Sequence, residues 1–343
     1  MKTDKEKHDL RGAVKSVRVE TAQFKEQDGQ LVEQAWFDQT IAFNAQGNII
    51  EHVHRNPDGS TFRTINNYSD AGQLLAMNSY DADNNLVHEV IYSYDAQGRL
   101  LTEQTVVPDK TTTAHIAYSY DDAGRKTKTQ LLDFATEANV LIGIEGTSTS
   151  IGAGDAKAIK TRYDEQDEAI EVTVYNADDA VVSRVEIKRD ALGNPLEEIQ
   201  YVGDIFPFSQ CSPGASPIEE TPALTAEQQA EFAAELAAMF APGTPMSKHI
   251  HEYDEAGRLI ESKLTMMGMN ASLQKFTYDE AGNKSEETSY DEDGQLQSKA
   301  IFTREYDEHG NWTKELVSTA STWDAEFNLS TPSNVTRRTI AYF

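Results

Sequence analysis

The sequence predicts an all-β protein: a repetitive antiparallel meander of β-hairpins whose sheet curls, with one short α-helix inserted near residues 225–240. Three observations carry this prediction. A turn unit, aromatic-Asp-x-x-Gly, recurs along the chain. Runs rich in Thr, Val, Ile and Tyr follow its copies, the composition of strands. Where the repeat is clean its copies lie 12 to 14 positions apart, which is one strand plus one turn.

Full copies open at Phe43, Tyr68, Tyr94, Tyr120, Tyr253, Tyr278, Tyr290 and Tyr306 and close on Gly47, Gly72, Gly98, Gly124, Gly257, Gly282, Gly294 and Gly310. Degenerate copies fill gaps. Tyr80 leads to Asn84, Tyr163 to Asp167 and Tyr175 to Asp179, while Arg189 to Gly193 lacks the aromatic. Tyr94 and Tyr120 stand 26 positions apart, so a further turn is expected between them, at Pro108-Asp109-Lys110.

Turn chemistry explains the residue choice. An Asp opens a type I turn because its carboxylate accepts from a backbone N–H two residues on. Gly closes it because that position is left-handed, where a Cβ is penalised. Asn and Asp tolerate that region next best, as the degenerate copies use them. A type I turn plus a left-handed residue makes a hairpin with a G1 bulge. Tyr94, Asp95, Gly98, Tyr120, Asp121, Gly124, Tyr253, Asp254, Gly257, Tyr278, Asp279 and Gly282 are therefore expected to be structural. Their aromatics are expected to form a ladder between neighbouring hairpins.

The unit Tyr94-Asp95-Ala96-Gln97-Gly98-Arg99-Leu100, and its counterpart from Tyr253 to Leu259, resemble the YD repeat of the Rhs/YD-repeat family. Leu10 to Val17 is similar to the first strand of small bacterial members. The repeats cover roughly residues 40–200 and 248–315. The resemblance implies a long curling sheet, which in large members winds around a toxin or forms part of an adhesion receptor. This chain lacks the Asp-Pro-rich self-cleavage region of polymorphic toxins, so the resemblance implies a small member without a toxin domain. Because the unit occurs on both sides of the later insertion, one elongated domain over 1–343 is expected.

Two segments break the rhythm. Residues 136–158, rich in Gly and small polar residues, read as a loop. Residues 203–248 begin Pro-rich and continue into the helix, where Thr225 and Gln228 form a capping box. Phe232, Leu236, Met239 and Phe240 make one apolar stripe, the candidate partner-binding element, and Pro242-Gly243 ends the helix.

Composition narrows the function classes. With 57 acidic against 30 basic residues the formal net charge is −27, which repels nucleic acid and favours a basic partner. Cys211 is the only cysteine, so no internal disulfide and no thiolate zinc site is expected. No apolar run approaches the roughly 18 residues of a membrane span. The charged start lacks the apolar stretch of a signal peptide, which leaves a surface or secreted location to chains whose leader was removed.

The search for chemistry returns little. Asp81-x-Asp83 and Asp291-x-Asp293 look like fragments of a calcium loop but lack its later Glu. His52-x-His54 and His249-x-His251 each put two imidazoles on one strand face, with no third metal ligand nearby in sequence. No cofactor, metal or catalytic residue is expected. The leading expectation is a non-enzymatic module that binds or scaffolds a protein partner, as an accessory or immunity protein of a bacterial toxin or secretion system. The alternative is a carbohydrate-binding surface protein that uses Trp36, Trp312 and Trp323.

Overall fold

The computed structural model describes residues 3–109, 111–134, 141–143, 150–152, 156–204, 238–324 and 327–343. Apart from one short helix at the start and a helical stretch at Ala238 and Met239, the regular elements of the described chain are strands, as the repeat predicts. It divides into two compact units, Met1–Ile116 with Gln274–Phe343, and Ala117–Leu273.

The first unit contains eleven whole strands: β1 (Val14–Gln27), β2 (Gln30–Phe43), β3 (Ile49–Arg55), β4 (Thr61–Tyr68), β5 (Leu74–Tyr80), β6 (Leu86–Tyr94), β7 (Leu100–Val106), β19 (Lys284–Tyr290), β20 (Leu296–Tyr306), β21 (Trp312–Ser321) and β22 (Asn334–Tyr342). Pairing follows sequence order from β1 to β7 and from β19 to β22. The exception is β22, which also pairs with β1 and so joins the last strand to the first.

The second unit pairs β9 (Lys126–Phe134), β12 (Ala158–Tyr163), β13 (Ala169–Tyr175), β14 (Val181–Arg189), β15 (Pro195–Val202), β16 (Pro245–Tyr253) and β17 (Leu259–Met266) in that order. The chain passes between the units within β8 (Thr112–Tyr120) and β18 (Met269–Tyr278). The segment 136–158 is not all loop: β10 (Leu141–Gly143) pairs antiparallel with β11 (Ser150–Gly152).

Alternation builds the strands. In β14, Ser183, Val185 and Ile187 are buried, while Arg184 and Lys188 point the other way to Glu186 and Glu197. At ten hairpins the register slips by one residue just inside the turn. Each slip inserts one unpaired residue, which bends its strand and increases twist. The hidden turn is present: the Val107 N–H donates to the Thr111 carbonyl, closing the link between β7 and β8.

The core of the first unit lies where β1 meets β2 and β22. Leu10, Val14, Val17, Ile41 and Phe43 are buried together, with Ile340 and Tyr342 packed against them. Burying five such side chains contributes on the order of 10 kcal/mol before entropy is counted. Leu10 reaches this core because the chain first makes a short helix, α1 (Asp4–Lys7). Thr3 and Glu6 form its capping box, a Thr-x-x-Glu signal present in the sequence but not read as a helix start.

Candidate functional site

The recurring turn saturates its own hydrogen bonds. Asp121 Oδ1 accepts from the Arg125 N–H at 2.9 Å and Oδ2 from Arg125 Nε at 2.7 Å. The Gly124 N–H donates to the Asp121 carbonyl at 3.0 Å, and Gly124 sits at φ 85°. Asp95 with Gly98 and Arg99, and Asp254 with Gly257 and Arg258, repeat the arrangement. The backbone N–H of Arg125 holds the Asp121 carboxyl below the usual carboxylate range, and the Arg258 guanidinium does the same to Asp254. At Asp279 the second oxygen accepts instead from the Tyr306 hydroxyl at 2.7 Å, while Gly282 keeps φ 86°.

The aromatic that opens the unit ties hairpins together. Tyr68 donates its hydroxyl to the Ile49 carbonyl, Tyr94 to Leu74, Tyr163 to Lys126 and Tyr253 to Pro195, at 2.7 to 3.0 Å. The acceptor in each case is the first strand residue after an earlier turn. Tyr120 and Tyr278 end β8 and β18 at the equivalent position. In these turns the carboxylates are engaged by the turn backbone and by a nearby Arg or, at Asp279, by Tyr306.

Phe232 and Leu236 of the predicted partner-binding stripe lie outside the described residues. Met239 is exposed and Phe240 half-buried, at the end of a helical stretch seen at Ala238 and Met239. Gly243, at φ 81°, follows it as expected.

A different surface stands out in the first unit. β1 and β2 are longer than their neighbours, and β3 reaches only as far as Asp38 of β2. From Gln30 to Trp36 every residue is exposed. This two-stranded arm closes through Asp28 and Gly29, at φ 53° and 76°, as a type I′ turn requires. Its closing pair, Gln27 and Gln30, exchanges hydrogen bonds in such a hairpin, so the backbone groups of Leu31, Glu33 and Ala35 face away from β1. Leu31 and Val32 add exposed apolar surface, and Trp36 occupies a bulge at 57% exposure. Arg337 of β22 clamps Glu33 with two hydrogen bonds of 2.7 and 2.8 Å and steadies the root of the arm. The connection from β21 to β22 leaves the sheet at the same end, where the Ser333 carbonyl accepts from the Phe24 N–H. It carries Trp323, 88% exposed, and Phe327. Trp312 differs: the Arg338 guanidinium lies 3.5 Å from its ring centroid, covering one face.

The second unit holds a buried polar cluster. Glu198 of β15 is 1% exposed, and its register partner is His249 of β16. His251, two residues on, is also buried, with Nε2 3.4 Å from a Glu198 oxygen. The two imidazoles stack at 5.9 Å. Burial pushes the His249 imidazole below its ordinary value, partly opposed by Glu198. Sequence reading found the two histidines but missed Glu198, because it stands 51 positions before His249.

A cleft of about 560 Å³ in the first unit is lined by Asp9, Arg11, Asn283 and Trp312 among others. Among the described residues, no helix is long and apolar enough to cross a membrane.

No family model and no curated protein matches the chain. Solved structures similar to it include a chain of the Photorhabdus luminescens Tc holotoxin pore, 14% identical over 85% of this chain and 15% of that one, with a TM-score of 0.31. This chain therefore spans a small fraction of that protein's length. Porin-like proteins from Bacteroides uniformis and Bacteroides vulgatus are 11% and 8% identical, each over 96% of this chain and over 96% and 98% of theirs, with TM-scores of 0.30 and 0.28. At these TM-scores the likeness assigns neither fold nor function.

Proposed function

We propose that the protein is a non-enzymatic protein-binding module that captures an extended, basic segment of its partner along the free edge of the β1–β2 arm. The observation that carries this reading is the run Gln30 to Trp36, fully exposed, with its edge away from β1 unpaired among the described residues. An unpaired edge presents N–H and C=O groups at strand spacing, and an added strand satisfies them. The net charge of −27 selects a cationic occupant and accelerates its encounter. Trp36 and Leu31 supply apolar anchors of the type that dominates binding energy.

The test uses the full chain and a displayed library of Lys- and Arg-rich peptides of about strand length. Ala35→Pro removes an outward N–H without touching the β1 ladder, so it is expected to keep the far-ultraviolet spectrum and to weaken peptide capture at least about tenfold. Capture that survives Ala35→Pro defeats the edge reading. Concentration-dependent dimerisation abolished by Ala35→Pro would instead make a second copy the occupant. The exposure of Trp36 and Trp323 favours carbohydrate as a second reading. Glycan-array binding lost in Trp36→Ala supports it, and a silent array removes it. The YD-repeat resemblance further suggests that the partner belongs to a bacterial toxin or secretion system. An association rate with that partner that ignores ionic strength would count against a basic toxin.

A further inference from the structure

We propose that the segment captured by the β1–β2 arm runs antiparallel to β2 and alternates in character, with Lys or Arg at every second position and apolar or β-branched residues between. Resting on the edge reading given above, this pattern follows from the face of the arm that each side chain takes. Ladder partners share a face, and successive residues of a strand alternate. Leu31, Glu33 and Ala35 therefore stand on one face with their partners Glu26, Phe24 and Ala22. Val32 and Gln34 stand on the other face with Lys25 and Gln23. The clamp of Arg337 on Glu33 agrees, because Arg337 pairs with Glu20, which shares the first face with Ala22 and Phe24.

The two faces differ in charge. The first carries the carboxylates of Glu26 and Glu33, and farther along the same two strands those of Glu20 and Asp38. Its cations are already held, Arg337 by Glu33 and Arg18 by Glu20 and Asp38. Glu26, near the tip, is exposed and has no ion pair among the described residues. Each oxygen of Glu33 keeps accepting capacity beyond its bond to Arg337. Across the second face the ladder offers Lys25, glutamines and Val32, and no carboxylate. A cation added on the first face meets Glu26 and Glu33, whereas one added on the second meets Lys25.

Backbone geometry sets the direction. β3 already takes this edge of β2 in the antiparallel sense, from Phe43 to Asp38, and the captured strand continues its line toward the tip. Antiparallel pairing is also the more stable per residue. Such a strand bonds to the outward groups of Leu31, Glu33 and Ala35, so its residues opposite these three project to the acidic face. Basic residues belong there, and apolar ones belong opposite Val32 and Gln34. A second copy is the poorer occupant. Pairing the run Gln30 to Trp36 with itself sets Glu33 opposite Glu33, and like charges directly opposite one another destabilise a ladder.

The experiment titrates the full chain calorimetrically, at low ionic strength, with two peptides of one composition and of about strand length. One has lysine at every second position with valine or threonine between; the other has its lysines in a single block. Net charge and length are the same, so a preference reports the pattern alone. The alternating peptide is expected to bind about tenfold more tightly. Glu26→Gln combined with Glu33→Gln should shrink that preference to about twofold or less. Glu26→Gln alone, which keeps the Arg337 clamp, should reduce it in the same direction and serves if the double variant unsettles the arm. A benzophenone at the amino end of the alternating peptide should crosslink near Trp36, and one at its carboxyl end near Leu31. Equal affinity for the two peptides, or a preference untouched by these variants, overturns the alternation and leaves edge capture standing. Crosslinks in the reverse order overturn the antiparallel sense. Binding of neither peptide overturns the pattern and counts against the edge reading as well, and dimers that neither peptide dissociates would make a second copy the occupant and overturn the proposal.

Discussion

At Asn84, Asp167 and Asp179 the backbone is left-handed without glycine, at φ 64°, 65° and 58°. These are the turn closers of the degenerate copies, so the residue that tolerates the conformation marks the turn as surely as glycine does. A different demand acts at Gly203. Its φ is ordinary, but a Cβ there would overlap the Val181 carbonyl oxygen and the Val182 carbonyl carbon, both backbone atoms. That backbone cannot retreat easily, because the Asp204 N–H donates to the same Val181 oxygen at 2.7 Å and the Val181 N–H to the Asp204 carboxylate. Gly203→Ala is expected to destabilise the chain by roughly 3 kcal/mol or more. Gly72→Ala, where a Cβ meets nothing within 4 Å, should cost only about 1 kcal/mol for its positive φ. Urea unfolding of the two variants checks the contrast, and equal costs would contradict it.

The hairpin gains from its neighbours what two strands alone lack, since an isolated hairpin is marginal in water. The opening Tyr provides one such link through its hydroxyl. Tyr94→Phe keeps the ring and removes the 2.8 Å bond to the Leu74 carbonyl, so a loss of about 1 kcal/mol is expected in equilibrium unfolding. No measurable loss would make the bond incidental and leave the ring's packing as the link. The β1–β2 arm shows the same rule from the other side. Beyond Asp38 the edge of β2 away from β1 has no strand beside it among the described residues, and every residue from Gln30 to Trp36 is exposed. An element with that much free edge is a place for a partner to add what the fold leaves out.

For the chain as a whole, charge is the dominant long-range term. A net charge of −27 repels itself in the compact state, and exposed charges respond to salt because the screening length shrinks to about 10 Å at 0.1 M. Exposed pairs such as Lys188 with Glu197 lose little by comparison. Raising NaCl from about 0.01 M to 0.2 M is therefore expected to raise the thermal midpoint by a few degrees. A midpoint that falls with salt would show that attractive pairs outweigh the net repulsion. The pairing of β22 with β1 sets the architecture of the first unit, since it buries Val335 and brings Tyr342 onto Phe43's core.

The sequence by itself determined everything that is local. Type I turns, left-handed closers, strand lengths and the all-β class follow from residue-by-residue preferences, and the repeat states them many times over. A strand's own residues also reveal which side chains share a face, so His249 and His251 could be paired on paper. Only the tertiary structure decided which strands become neighbours across long separations. It put β22 beside β1, left the outer edge of the far half of β2 unpaired among the described residues, and set Glu198 against two histidines beyond a long insertion. The physical reason is that backbone pairing is chemically uniform: any strand edge can accept any other. Turns therefore dictate hairpins, while the partner of an edge is chosen by the packing of the whole sheet.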